Sequence, residues 1–269
     1  GRTGYSLRVN GDYTACGPTA QLGIMGNVLK DKAFKKLSGR QMFCPVFPPD
    51  HPDKFPSPVP EVSCWCWENK VVEFDKFATD DDVNKYWETN NLDEEVFVRW
   101  EMSRLCNYSC NYCSVPNDMF EHRTDKKWGP DAYIEEDSLM VIAVALFSQF
   151  KKRRLRITGP MEPLTVPSIV RLFEKLYEKR DRISHITFMT NFSVYEKMKK
   201  ILEMGWGKKL HVIVSMHFLD DKFDPFRTVD LYRIGFQNNV LMDSHVVPSP
   251  DVRRFWNPYM EFFSLFNVK

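Results

Sequence analysis

The chain lacks an excess of charge of either sign: its 269 residues carry 37 Lys and Arg against 36 Asp and Glu, a formal net charge of +1. That balance removes the electrostatic footprint of a dedicated nucleic-acid binder. It also lacks any stretch near the roughly 18 consecutive apolar residues of a spanning helix. Gly1-Arg2-Thr3-Gly4 is not followed by the apolar core of a signal peptide, so neither membrane insertion nor secretion is expected. With 43% hydrophobic residues and only 12 Gly, disorder and collagen are excluded. A soluble, cytoplasmic, cored protein is expected, of one large domain or a medium domain with an appendage. The chain starts without Met, as an engineered, processed or fragmentary chain does.

Cysteine is present in an informative number. The seven residues fall into Cys16, Cys44, Cys64 and Cys66, then Cys106, Cys110 and Cys113. An odd count in a long chain of this character argues against a disulfide framework, and four plus three thiolates suit metal ligation or catalysis in a reducing compartment.

Two textures meet near residue 95. In residues 1–95, alternating segments at 5–9 and 12–15 flank Asn10-Gly11, a hairpin turn signal that delivers Cys16. A short helix is expected at 31–37. Seven prolines between Pro45 and Pro60 remove amide donors and prevent regular structure there. Thr79-Asp80 is placed to cap a helix through Trp87.

Residues 96–269 alternate strand and helix. Strands are expected at 96–100, 155–158, 185–189, 210–214 and 240–247, and helices at 136–150, 166–179, 194–204, 224–234 and 252–266. In the second helix Ile169, Leu172, Phe173 and Leu176 recur at helical spacing. Five such βα units predict a parallel sheet covered by helices, closed or partly closed like a barrel, with chemistry at the C-terminal strand ends. Asn267-Val268-Lys269 reads as the threshold of a sixth strand, so the chain is expected to stop before a barrel is complete.

Cys106, Cys110 and Cys113 follow the first of these strands with C-x3-C-x2-C spacing. Three thiolates on one loop leave one iron of a 4Fe-4S cubane open for another ligand; zinc or incidental spacing are the alternatives. The run, with Tyr112 at its aromatic position, resembles the radical S-adenosylmethionine superfamily. Thr158-Gly159-Pro160-Met161-Glu162-Pro163-Leu164 is similar to that family's G-x-G-E-P segment, with Met161 where its second glycine stands. Thr190-Asn191-Phe192 is similar to its T-N-G, with Phe in place of glycine. Ser215-Met216-His217 and Val246-Val247-Pro248 resemble further positions.

The resemblance implies a partial (β/α)6 barrel over 96–269 and an oxygen-sensitive oxidoreductase. Cys106, Cys110 and Cys113 would hold a 4Fe-4S cluster whose open iron is chelated by S-adenosylmethionine. Tyr112 and Val247 would approach the adenine. Gly159, Met161, Glu162 and Pro163 would face the methionine amino group, and Asn191 or Ser215 the ribose or carboxylate. One electron from an external flavodoxin or ferredoxin type donor would cleave the sulfonium, and the 5′-deoxyadenosyl radical would abstract a substrate hydrogen.

Cys16, Cys44, Cys64 and Cys66 form a possible tetrathiolate set in a small cysteine-rich α+β domain, residues 1–95. The segment 6–27 resembles the hairpin of SPASM or twitch auxiliary-cluster domains, which implies a second 4Fe-4S cluster; zinc or unligated core cysteines are the alternatives. That likeness tilts the expected substrate toward a peptide or protein. Oxidation or epimerisation of a sugar or other small molecule is the alternative, RNA gains nothing from the charge, and a non-enzymatic metal-binding module is the rival class. The basic runs 151–154 and 208–209 read as solvated rims on the opposite face. His217, Asp220 and His245 lie near the expected active face, where histidines more often satisfy local hydrogen bonds than catalyse.

Overall fold

The computed structural model describes residues 4–14, 26–34, 95–103, 105–108, 110, 133–158, 161–217, 222–246, 257, 260, 261 and 264. Cys16, Cys44, Cys64, Cys66, the proline-rich stretch 45–60 and the expected helix 79–87 lie outside the described residues. So do Tyr112, Cys113, Gly159, Asp220, Val247 and the expected start of a sixth strand at 267–269. The protein is α/β with mostly parallel strands. It divides into two compact units, Gly1–Trp100 with Asp137–Leu155, and Glu101–Glu136 with Arg156–Lys269.

In the first unit, β1 (Gly4–Leu7) and β2 (Asp12–Thr14) form the expected hairpin, with Ser6 opposite Thr14 and Leu7 opposite Tyr13. The turn closes through Gly11 N–H to the Arg8 carbonyl at 3.0 Å, and Gly11 takes φ +83°. A Cβ there would stand 2.5 Å from Leu29, so glycine serves both the left-handed backbone and the close approach. β3 (Gly26–Asn27) pairs antiparallel with β2 and runs into α1 (Val28–Asp31). Of the expected helix 31–37, residues 32–34 are not helical and 35–37 lie outside the described residues; in α1 the Asn27 side chain caps the Leu29 and Lys30 amides, and Lys32 ends it at φ 57°. β1 also pairs in parallel with β4 (Glu95–Trp100), Gly4 beside Phe97 through Leu7 beside Trp100.

α2 (Glu136–Gln149) buries Leu139, Ile142, Ala143, Ala145 and Leu146. The Gln149 carboxamide brackets Phe34, accepting from its N–H at 2.7 Å and donating to its carbonyl at 3.0 Å. Phe34 joins Tyr5, Tyr13 and Phe150 in an aromatic cluster with ring separations of 5.0 to 6.1 Å. β5 (Lys152–Ile157) starts three residues before its expected position, because the basic run belongs to the strand. Arg153 is therefore no solvated rim residue. It is fully buried, its guanidinium donating to the carbonyls of Leu146 at 2.8 Å, Lys151 at 3.0 Å and Phe150, and lying 4.5 Å over the Phe147 ring. Alternation places Lys152 outward and Arg153 inward, where the carbonyls ending α2 lack helical partners.

The second unit carries 3-10 turns at Pro163–Thr165, Arg180–Arg182 and Gly207–Lys209, with α3 (Ile169–Glu178), β6 (Ile183–Thr190), α4 (Tyr195–Glu203), β7 (Leu210–Met216), α5 (Pro225–Gln237) and β8 (Leu241–Val246) in chain order. β6, β7 and β8 are parallel, with Ile186 beside Leu210 and His211 beside Leu241. Burial largely alternates along β6 and β7, so one face packs and the other stays half-buried, whereas β8 is exposed or half-buried throughout. The α3 stripe Ile169, Leu172, Phe173 and Leu176 is fully buried, and Phe173 meets Phe188 of β6 edge-on at 5.1 Å. Each such side chain contributes about 1.5–3 kcal/mol. α5 begins where the Asp224 side chain caps the Phe226 and Arg227 amides at 3.0 and 3.1 Å. Asn257, Met260, Glu261 and Ser264, within the expected last helix, are helical. Among the described residues no helix is long and apolar enough to cross a membrane.

Candidate metal centre

The chain that leaves β4 enters the second unit, and short polar side chains fix its path toward the first thiol. The Ser103 hydroxyl accepts from Leu105 N–H at 2.9 Å and shares a 2.8 Å hydrogen bond with Thr165, while the Leu105 carbonyl accepts from Glu162 N–H at 3.0 Å. Side chains of this type compete with regular structure by bonding nearby backbone. The run therefore turns across the segment after β5 before reaching Cys106.

Two of the three thiols can be placed, and both are half-buried. Cys106 Sγ lies 3.9 Å from Asn191 Nδ2, just beyond β6, and Cys110 Sγ lies 3.2 Å from His217 Nδ1, just beyond β7. Between them Tyr108 is buried and meets the His217 ring edge-on at 5.5 Å. Tyr108 donates its hydroxyl to the Lys222 carbonyl at 3.3 Å, and Lys222 Nζ returns to the Asn107 carbonyl at 2.7 Å. Asn107 Oδ1 accepts from Asn191 Nδ2 at 3.3 Å and from the Ser193 hydroxyl at 2.9 Å. The thiol loop is thus tied to the C-terminal ends of two neighbouring parallel strands.

Behind this loop, Glu162 is fully buried, and its carboxylate accepts from Leu164 N–H at 3.0 Å, the Thr190 hydroxyl at 2.7 Å and Asn191 N–H at 2.6 Å. Burial pushes its pKa up to about 7, against the opposing pull of the hydrogen bonds from Thr190, Asn191 and Leu164. Lys197 of α4 donates to the Leu164 and Val166 carbonyls at 2.9 and 2.8 Å, and its own burial lowers its basicity. Glu162 and Lys197 together hold the turn after β5 against the end of β6 and the start of α4.

The two positions at which the resembling motifs carry glycine are Met161 and Phe192. Met161 is buried, and Phe192 takes φ 61°, in the left-handed region that glycine favours. Phe192 is nevertheless buried, packing 5.8 Å from the Tyr232 ring, with its N–H bonded to the Thr190 hydroxyl at 3.1 Å. Packing holds a backbone that the side chain alone disfavours.

Of the residues singled out from sequence, Cys106, Cys110, Glu162 and Asn191 gather in one network of the second unit, with Met161 and Pro163 buried beside Glu162 in the chain. Ser215 lies half-buried on β7, two residues before His217. Among the described residues no three His, Cys, Asp or Glu side chains gather at a metal position. Asn107, Ser193, Lys197 and Lys222 were not anticipated. Only the three-residue spacing of Thr190 and Ser193 around Asn191 hints at local side-chain bonding. The chain matches no protein-family model and no curated protein.

Proposed function

We propose that the chain is a radical S-adenosylmethionine enzyme of the cytoplasm, with a partial (β/α)6 barrel and a cysteine-rich N-terminal region that holds a second metal centre. The observation that carries this is the placing of Cys106 and Cys110, from one C-x3-C-x2-C run, beside the ends of β6 and β7. The donor set fits a cluster: two thiols of one run are half-buried, each with a nitrogen facing its sulfur. Cys106, Cys110 and Cys113 would hold a 4Fe-4S cluster, and Cys16, Cys44, Cys64 and Cys66 a second cluster or zinc. When bound, the cluster supplies one electron, drawn from a flavodoxin or ferredoxin type donor, to cleave S-adenosylmethionine so that a substrate hydrogen can be abstracted.

This chain's own residues position and enclose. Asn107, Asn191 and Ser193 fix the thiol loop, Glu162 and Lys197 fix the turn after β5, and buried Tyr108 shields the His217 side of the loop from water. The substrate class favoured is a peptide or protein, with a sugar or other small molecule as the alternative.

A second reading, a non-enzymatic zinc module, draws on the 3.2 Å contact between Cys110 and His217, since adjacent sulfur and nitrogen donors also suit zinc. Anaerobic purification followed by metal and sulfide counts separates the two. The enzyme is expected to contain at least about four irons per chain with matching sulfide. It should also cleave S-adenosylmethionine under a strong reductant, and Cys110→Ala should abolish that cleavage. Zinc without iron would establish the module instead.

A further inference from the structure

Asn191 is 4% exposed, and its carboxamide is engaged on both sides: Oδ1 accepts from Ser193 N–H at 3.0 Å, and Nδ2 serves Asn107 Oδ1 and Cys106 Sγ. Its backbone N–H is taken by Glu162. A side chain so committed is fixed in one orientation and directs one N–H bond at sulfur. His217 is the counterpart at the other thiol, its ring set at 84° to buried Tyr108 with Nδ1 turned to Cys110 Sγ.

We infer that Asn191 and His217, the latter as the tautomer protonated at Nδ1, are positioning residues for sulfur: each presents an N–H group to one thiolate, orients that thiolate, and raises the reduction potential of the cluster it helps to hold. The inference rests on the cluster proposed above. The physical ground is charge. Reduction adds an electron to a group already made anionic by its thiolates, so an N–H donor at sulfur stabilises the reduced form more than the oxidised form. Asn191 follows β6 and His217 follows β7, so the two donors come from separate structural supports and each reports independently.

The test uses the full chain reconstituted anaerobically with iron and sulfide, as wild type, Asn191→Ala, His217→Ala and His217→Asn, the last keeping a side-chain N–H near the Nδ1 position. Iron per chain and the midpoint potential from a spectroscopically monitored redox titration are read for each. The Ala variants are expected to load iron and titrate at a more negative potential, with His217→Asn returning toward wild type. A purely structural role would lower thermal stability without moving the potential. Ala variants that titrate at the wild-type potential would overturn this inference and leave the cluster in place. A wild-type chain that takes up no iron would overturn the inference and the proposed function together. Misfolding of either Ala variant leaves the other, on a different strand end, as the deciding measurement.

Discussion

Glu162 sets two effects against each other within one side chain, since three donors favour its carboxylate and complete burial favours its neutral acid. Burial wins, lifting the pKa from the ordinary 4.5 to about 7. The folded state then binds a proton that the unfolded chain has released. The stability this group contributes is fully present below pH 4.5 and is lost as pH rises through 7. The loss is on the order of 3 kcal/mol. Glu162→Gln should unfold more readily than wild type at pH 5 and show a flatter profile to pH 8, as read by urea midpoints across that range. Equal pH dependence in both proteins would show that Glu162 does not titrate in the window.

At Phe192 the left-handed backbone and the buried ring oppose each other. Removing the ring is expected to cost about 3 kcal/mol or more. Glycine relieves the backbone while alanine does not, so Phe192→Gly should be more stable than Phe192→Ala by about 1 kcal/mol, the reverse of their order at ordinary positions. Denaturant midpoints of the two variants check this. The likeness to T-N-G made the position visible in sequence; the conformation was not, because a phenylalanine by itself signals no left-handed turn.

Arg153 shows how an element's end can depend on the next element's beginning. Its guanidinium caps α2 by donating to the carbonyls of Leu146, Phe150 and Lys151. Arg153→Met keeps much of the volume but removes these three hydrogen bonds, at a cost on the order of 3 kcal/mol. Lys152→Met, at an exposed position one residue earlier, should change stability by less than about 0.5 kcal/mol. Comparing the two by chemical denaturation tests whether the run is one charged rim or alternates inward and outward. The four-residue basic run reads as solvent-facing because composition carries no strand phase. The stripe on α3 was legible because 3.6-residue spacing and burial coincide, while α1 was missed because a four-residue helix has too few positions for periodicity to show.

Across the molecule, the order of strands and helices from β4 to β8 was readable from alternating patterns, and so was the hairpin of β1 and β2. The cysteine spacing, the turn signal at Asn10-Gly11 and the alternation are local properties, and local chemistry determined them. The parallel pairing of β1 with β4, the inward turn of Arg153, and the convergence of Asn107, Asn191, Glu162 and His217 around two thiols were decided only by tertiary structure. Hydrogen bonds between residues 29 to 107 positions apart leave no periodic trace in the chain, and the partner of a buried donor is set by whichever acceptor packing brings within reach.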